Sequence, residues 1–338
     1  MFSSLPNLAD RPFIVGFLVP TLALLLCIAL LFADQPFGQA ILAAAAGGEG
    51  IESILAAVVL VWFVAIGLMM LNRPLMQVLE GYHGPLAWLG RADAKRAEFR
   101  RRDAEIQALR AEHRQLGDAF PDEKRELHDT LTARFVLDFP GEERLVLPTS
   151  FGNTLRAFED YPRIMHGADS IPLWPHIVAV ADTAFLAVVE DARAQVNCLV
   201  NLLLVGLLVM GLAIGRLVLG DGSFVRLAQD GQAFVLVRSA DYLFVLVAVA
   251  APIGSLVAYR MAVERARVWG GLVKAAFDRY LPALGEHLGL DPEADDAARM
   301  AFWHAVSRRL TYRRPITTAE WQRFGKGRKP ARQPGERT

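Results

Sequence analysis

The 338-residue sequence contains only two cysteines and has no excess of charge of either sign. Two cysteines exclude a disulfide-stabilised scaffold, because such scaffolds need several pairs. Lys plus Arg and Asp plus Glu both number 36, so the protein is not basic as a whole. Hydrophobic residues form 53% of the chain, which excludes an intrinsically disordered protein. The mean hydropathy of +0.29 is high for a soluble enzyme with this much charge and indicates membrane-spanning segments.

The sequence also lacks the common catalytic and metal-binding motifs. It contains no P-loop, GxSxG, HExxH or CxxC pattern, and no two histidines have the i, i+4 spacing of a helical metal site. Cys27 and Cys198 both lie in apolar stretches, where we expect them to pack rather than to form a disulfide. The sequence therefore predicts no catalytic residue, no metal and no cofactor, and it favours a protein that is not an enzyme.

Charge is absent from four long stretches of the chain. A helix rises about 1.5 Å per residue, so roughly 20 residues cross a hydrocarbon core of about 30 Å. Four buried helices of a soluble core are the alternative, but buried helices seldom run so far without a charge. The sequence therefore predicts an all-α membrane protein with four transmembrane helices, at 12–33, 53–71, 194–215 and 242–259.

The flanking cations predict the orientation of these helices. Residues 34–52 contain no Lys or Arg, whereas cations crowd the chain after the second and fourth stretches. Positive-inside counting then places both termini and the loop 72–193 in the cytoplasm. The loop after the third stretch opposes this assignment, because Arg216, Arg226 and Arg238 would lie outside. The larger group of cations comprises Arg73, Arg91, Lys95, Arg96, Arg100, Arg101, Arg102, Arg260, Arg265, Arg267 and Lys274.

The stretches between the spans predict a mainly helical cytoplasmic domain. Residues 91–116 and 294–312 have helical composition and periodicity, and Asp122 is placed to begin another helix that reaches Phe135. Around Asp230-Gly231, residues 224–237 predict a short β-hairpin in the outer loop. The predicted domains are an N-terminal hairpin (1–71), a cytoplasmic helical domain (72–193), a second transmembrane hairpin (194–260), a helical tail (261–322) and a disordered basic tail (323–338).

The zero net charge conceals two regions of opposite sign. Residues 112–193 carry 15 acidic and 8 basic side chains, whereas residues 300–338 carry 10 basic and 2 acidic ones. The basic tail could bind anionic lipid headgroups, at about 1 kcal/mol per cation near the surface. It could equally dock on the acidic middle domain of its own chain. Nucleic-acid binding is a weaker alternative, based on aromatic residues that lie among the cations.

Residues 147–177 hold the densest set of polar and aromatic side chains. Pro148-Thr149-Ser150 is a helix-start signal, and Pro162 is expected to end that helix. A rigid aromatic turn is expected at 172–176. The polar residues could form a ligand site, or a buried network that fixes the helix under the bilayer. The candidates are Asn153, Arg156, Glu159, His166, Trp174 and His176.

The pattern PTxxGNxLRAxE at 148–159, followed by Trp174-Pro175, resembles a segment of an uncharacterised group of bacterial multi-pass membrane proteins. The resemblance covers about 30 residues. It implies a multi-pass architecture and a bacterial origin, hence the cytoplasmic (inner) membrane, and it carries no activity. It marks Asn153, Arg156, Glu159 and Trp174 as the first residues to test.

The third stretch is the most polar of the four. Asn197 and Asn201 share one helical face, and Gly211 and Gly215 form a GxxxG pair, with Gly206 further back. Small residues let helices approach closely, and Asn side chains can hydrogen-bond across an interface. This helix could line a pore or join copies of the protein, or it could pack within its own bundle.

These patterns favour a non-enzymatic oligomeric membrane protein, either a channel-like assembly or a scaffold. The spans carry no ionisable residue at mid-depth, which opposes a secondary transporter. The alternative is a membrane-bound enzyme or ligand sensor with its site in 147–177. The expected partners are the lipid bilayer, further copies of the chain and, for the basic tail, anionic lipid or the acidic middle domain.

Overall fold

The computed structural model describes residues 10–45, 50–83, 91–219, 241–290 and 295–324. Within these ranges the chain is helical and contains no strand. The predicted hairpin at 224–237 lies outside the described residues, as do 325–338 of the predicted basic tail. The helices are α1 (Arg11–Leu31), α2 (Pro36–Ala45), α3 (Ile51–Glu80), α4 (Arg91–Leu116), α5 (Asp122–Asp138), α6 (Ser150–His166), α7 (Ser170–Val180), α8 (Thr183–Leu219), α9 (Asp241–Leu288), α10 (Asp296–Tyr312) and α11 (Thr318–Phe324).

Four of these helices are long and apolar enough to cross a membrane. Three of them contain a whole charge-free stretch, and α1 ends at Leu31, two residues before the end of the first one. The expected helices at 91–116, from Asp122 and at 294–312 are confirmed as α4, α5 and α10. Helix α2 was not predicted, and its residues follow the first charge-free stretch.

Proline ends fewer helices than we expected. Helix α6 continues through Pro162 to His166, and the expected turn at 172–176 is instead part of α7. Pro172 lies in the first turn of α7, where no N–H donor is needed. Interior proline costs about 3 kcal/mol. At Pro162 the packing of the buried face of α6 offsets that cost, since Pro162 itself is buried.

The described helices group into two compact units. We call Met1–Gln77 with Glu190–Arg265 the span unit, and Val78–Val189 with Ala266–Thr338 the polar unit. The division falls between Gln77 and Val78, between Val189 and Glu190, and between Arg265 and Ala266.

In the span unit, α1 and α8 run in the same direction. Arg11 pairs with Asp191 at 3.0 Å near one end, and Asp34 pairs with Arg216 at 2.5 Å near the other. Between the two ion pairs lies an apolar core, and neighbouring residues of α3 and α9 pack against it. The buried core residues are Leu24, Leu31, Val205, Val209 and Ala213.

The polar unit is built on an antiparallel pair of helices, α4 and α5, joined by a short turn. Phe99, Phe135 and Phe139 form an aromatic cluster with Val146 at the open end of this pair. Asp138 accepts hydrogen bonds there from Arg102 at 3.0 Å and from Arg267 of α9. Helix α6 follows this pair in the chain and carries Asn153, Arg156, Glu159 and His166 of the predicted candidates, whereas Trp174 and His176 lie on α7.

Candidate functional site

The first half of the predicted motif joins the end of α3 to the beginning of α6. The Thr149 hydroxyl donates to the carbonyl oxygen of Leu79 at 2.6 Å and accepts from the Gly152 N–H at 2.9 Å. The last carbonyls and the first N–H groups of a helix have no partner in their own helix. One hydroxyl therefore caps two helix ends at once.

Two glycines allow this close approach. Gly81 ends α3 with φ = +91°, and a Cβ there would lie 2.9 Å from Cδ of Pro148. A Cβ at Gly152 would lie 2.4 Å from the Glu80 carbonyl oxygen. Because neither position has room for a side chain, the Gly in PTxxGN is explained by the contact between α3 and α6.

Asn153 closes the same junction from the other side. Its side chain is 1% exposed, its Oδ1 accepts from the Leu147 N–H at 2.6 Å, and its Nδ2 donates to the Leu147 carbonyl at 2.9 Å. The amide thus pairs with one backbone residue through both of its ends. This arrangement favours the network role for Asn153 over the ligand role.

Arg156 and Glu159 form a charged cluster with two residues from the end of α3. Arg156 Nη2 donates to the Tyr82 hydroxyl at 2.8 Å, and Nη1 donates to Glu159 Oε2 at 3.3 Å. The Glu80 carboxyl interacts electrostatically with both Arg156 and Glu159. We call Glu80, Tyr82, Arg156 and Glu159 the Arg156 cluster. It contains two carboxyl groups and a single guanidinium.

Burial changes the acidity of this cluster. Removal from water raises the pKa of Glu159, and the nearby Arg156 charge opposes that rise only in part. Burial likewise raises the pKa of the Tyr82 hydroxyl. The junction therefore favours the protonated forms of Glu159 and Tyr82.

A cavity of about 400 Å³ lies beside this cluster. Arginines and carboxylates occur in equal number on its wall, and Arg163 is already paired with Asp160 at 2.8 Å and with Glu142 at 3.0 Å. A balanced wall of this kind suits a small ligand that carries both charges, rather than a simple anion or cation. The lining residues include Arg144, Arg156, Arg163, Glu159, Asp160 and Asp169.

His166 lies in a different part of the polar unit. Its Nε2 is 2.8 Å from Oδ1 of Asp278, and the Tyr161 hydroxyl donates to Oδ2 of the same carboxylate at 2.9 Å. Burial and the hydrogen bond to Asp278 raise the pKa of Tyr161 to about 12. His166 borders a second cavity, of about 550 Å³, which it shares with Leu281 and Trp303. The Asp278 carboxylate thus orients His166 at the edge of this second cavity.

The remaining predicted residues are separated from the Arg156 cluster. The Trp174 ring packs against Phe277, with 6.2 Å between the ring centroids, and His176 is exposed on α7. The structure therefore brings together Arg156 and Glu159, with Asn153 earlier on the same helix, but distributes His166, Trp174 and His176 over other contacts.

Asn197 and Asn201 are buried inside the span unit. The Asn72 Nδ2 donates to Asn197 Oδ1 at 3.1 Å, and Asn201 Nδ2 donates to the Gly16 carbonyl at 2.8 Å. We call Asn72, Asn197 and Asn201 the amide cluster. It connects α1, α3 and α8 within one copy of the chain.

The glycines of the third predicted span fall into two kinds. A Cβ at Gly206 would lie 2.2 Å from Oγ of Ser255, so α8 and α9 make their close approach there. A Cβ at Gly211 or Gly215 would meet nothing within 4 Å among the described residues. The GxxxG pair thus faces open space as far as the described residues extend.

Glu80, Tyr82 and Asn72 were not among the residues predicted from the sequence. Glu80 and Tyr82 are about 70 residues before Arg156, and no spacing rule connects them to it. The contact between Asn201 and Gly16 does have a signal in the sequence. Pro20 has no N–H, so the carbonyl four residues earlier lacks its helical donor and needs another.

Across the described residues, no group of three or more His, Cys, Asp or Glu side chains is placed to hold a metal ion. Comparison of the chain with protein-family models, with curated proteins and with solved structures found no match. The bonds and cavities within the two units are therefore the observations that bear on function.

Proposed function

We propose that the protein crosses the inner membrane of a bacterium four times and serves there as a non-enzymatic scaffold. The observation that carries this proposal is the apolar surface of the four long helices. Large exposed side chains on these helices would be costly in water but are favourable in lipid. Examples are Leu26 (56% exposed), Phe63 (77%), Met70 (74%), Val218 (70%) and Leu246 (64%).

The cation distribution supports a cytoplasmic location for the polar unit and for both termini. Helix α4 begins eleven residues after the end of α3 and carries a run of Arg and Lys. Helix α2 and the turn before it carry Asp34 and no cation. This asymmetry is what positive-inside topology requires.

The amide cluster supports a scaffold over a channel. A pore-lining Asn must face water, but Asn201 is fully buried and its Nδ2 is bonded to Gly16 of the same chain. The polar side chains that suggested a pore therefore hold one bundle together. Residues 148–153 likewise connect helices, because they join the end of α3 to the beginning of α6.

Alkaline extraction of membranes tests the membrane assignment. A protein with four spanning helices stays in the pellet after a carbonate wash and is released only by detergent. Release by the wash alone would contradict the proposal, because it would show peripheral attachment.

The open face at Gly211 and Gly215 supports self-association of the scaffold. Close packing of a second copy there predicts that Gly211→Ile with Gly215→Ile lowers the yield of cross-linked dimer in membranes. Gly67→Ile is the matched control, since a Cβ at Gly67 also meets open space. An equal loss of cross-linked dimer in the control would contradict self-association through this face. An unchanged yield in the double variant would contradict it as well.

A ligand sensor is the second candidate function, and the balanced cavity of about 400 Å³ favours it. We expect a zwitterionic ligand of amino-acid size to raise the thermal unfolding midpoint of the purified protein. Arg156→Met or Glu159→Gln should abolish that rise, and Arg110→Met, an exposed change on α4, should leave it intact. If no amino acid in a panel raises the unfolding midpoint, the proposal of a ligand sensor is contradicted.

A further inference from the structure

The amide cluster contains two buried oxygens that lack a hydrogen-bond donor in the described part of the chain. They are Oδ1 of Asn72 and Oδ1 of Asn201. Both side chains are more than nine-tenths buried, with 8% of Asn72 and 0% of Asn201 exposed. Buried amide oxygens without a donor are rare in native proteins and need a physical explanation.

The bonds around the cluster fix which atom of Asn201 lacks a partner. The Gly16 carbonyl can only accept, so Asn201 must direct Nδ2 towards it and leave Oδ1 free. Asn72 uses one end of its amide on Asn197. Rotating both amides would exchange donor and acceptor between them but would still leave one end of Asn72 without a partner. One end of the Asn72 amide therefore lacks a partner in either orientation, and in the orientation of the structure that end is Oδ1.

A buried hydroxyl of α1 is already engaged. The Thr21 hydroxyl, which is also fully buried, donates to the carbonyl of Phe17 at 2.9 Å. Lipid tails carry no donor, so the membrane offers nothing to these oxygens. Since the described residues give these oxygens no donor, a small molecule in the bundle is the source to consider.

We propose that a water molecule is bound in the amide cluster and donates one hydrogen bond to Asn72 Oδ1 and another to Asn201 Oδ1. Asn197 and Asn201 are one turn apart on α8, and Asn72 is bonded to Asn197, so the two oxygens lie on neighbouring groups. Buried waters typically make about three hydrogen bonds to polar groups that would otherwise have no partner. The bound water links α3 to α8 next to the point where α8 holds α1.

The chemistry of the cluster distinguishes water from a cation. All three side chains are neutral amides, so a bound Na⁺ or K⁺ would be left without a compensating carboxylate in an apolar surrounding. A neutral molecule with two donors satisfies both oxygens without that cost. The bound water concerns the span unit alone and rests on the proposed membrane location, but not on the scaffold role.

A density map of the full chain, at a resolution that shows ordered water, tests the proposal. We expect one peak at hydrogen-bond distance from both oxygens, of the same height whether the buffer contains Na⁺ or Rb⁺. Absence of a peak where other buried waters are visible would overturn the proposal. A peak that grows in Rb⁺ would also overturn it, since it would identify a cation site.

Asn72→Leu provides a second test, because it keeps a similar volume and removes the Asn72 acceptor. The peak should disappear in this variant, and Cys198→Ala, next to Asn197 on α8, should retain it. A peak of unchanged height in Asn72→Leu would contradict the proposed contacts. If Asn72→Leu fails to fold, the map of the unchanged protein still decides.

Discussion

At the scale of single residues, the motif at 148–159 has two separate tasks. Thr149, Gly152 and Asn153 fasten α6 to the end of α3 and to Leu147, and their polar atoms are used in doing so. Arg156 and Glu159 instead form a partly buried charged cluster beside a cavity. Mutations in the two halves should therefore change different properties of the protein.

Thr149→Val should destabilise the polar unit by about 1–2 kcal/mol, because it removes a helix cap and a donor to the Leu79 carbonyl. The free energy of unfolding in detergent measures this change. Thr130→Val, an exposed change on α5, should have little effect. Thr149→Ser should recover most of the stability, and a failure to do so would indicate that packing, rather than the hydroxyl, is responsible.

Glu159 should make the stability of the protein depend on pH. Its pKa is higher in the folded chain than in the unfolded one, so the folded state binds the proton more tightly. The resulting stabilisation is complete below the unfolded pKa of about 4.3 and is lost as pH rises through the folded pKa. Glu159→Gln should flatten this fall in a series of unfolding midpoints, whereas Glu105→Gln should not. An unchanged slope in Glu159→Gln would contradict the burial argument.

At the scale of elements, sequence patterns predicted helices well and their ends less well. Helix α4 begins and ends where its composition changes, because an exposed helix is governed by local preferences. Pro162 was expected to end a helix but lies inside α6, since tertiary packing overrides a local penalty. Helix α3 ends at Gly81, which has a positive φ and lies in close contact with Pro148. That contact joins residues far apart in sequence, and so no local pattern reveals it.

The contact between α8 and α9 makes a prediction about glycines of one helix. Gly206→Ala should cost about 1–3 kcal/mol, because the added Cβ would meet Ser255 Oγ at 2.2 Å and the Ala251 carbonyl at 3.0 Å. Gly211→Ala is the matched control and should be neutral or stabilising, since alanine favours a helix more than glycine does. Thermal unfolding of the two variants in the same detergent measures the difference. Equal midpoints would show that α8 and α9 do not approach at Gly206.

At the scale of the whole molecule, the sequence predicts the number and position of the apolar helices but little of their packing. The four charge-free stretches predict the number and position of these helices, because a helix that can cross a bilayer is recognised by its length and composition. The amide cluster needed contacts between residues 72 and 197, which only the folded chain brings together. The candidate site was predicted in part for the same reason. Arg156 and Glu159 lie within one helix, but their partners come from the end of α3.

The most direct test of the central claim is the sidedness of single cysteines in a chain with Cys27→Ala and Cys198→Ala. Gln39→Cys on α2 and Glu105→Cys on α4 place the new thiols at exposed positions. In intact spheroplasts, a membrane-impermeant maleimide should label Gln39→Cys. It should label Glu105→Cys only after the membrane is permeabilised. Labelling of Glu105→Cys in intact spheroplasts, with Gln39→Cys protected until permeabilisation, would contradict the proposed topology of the four spans.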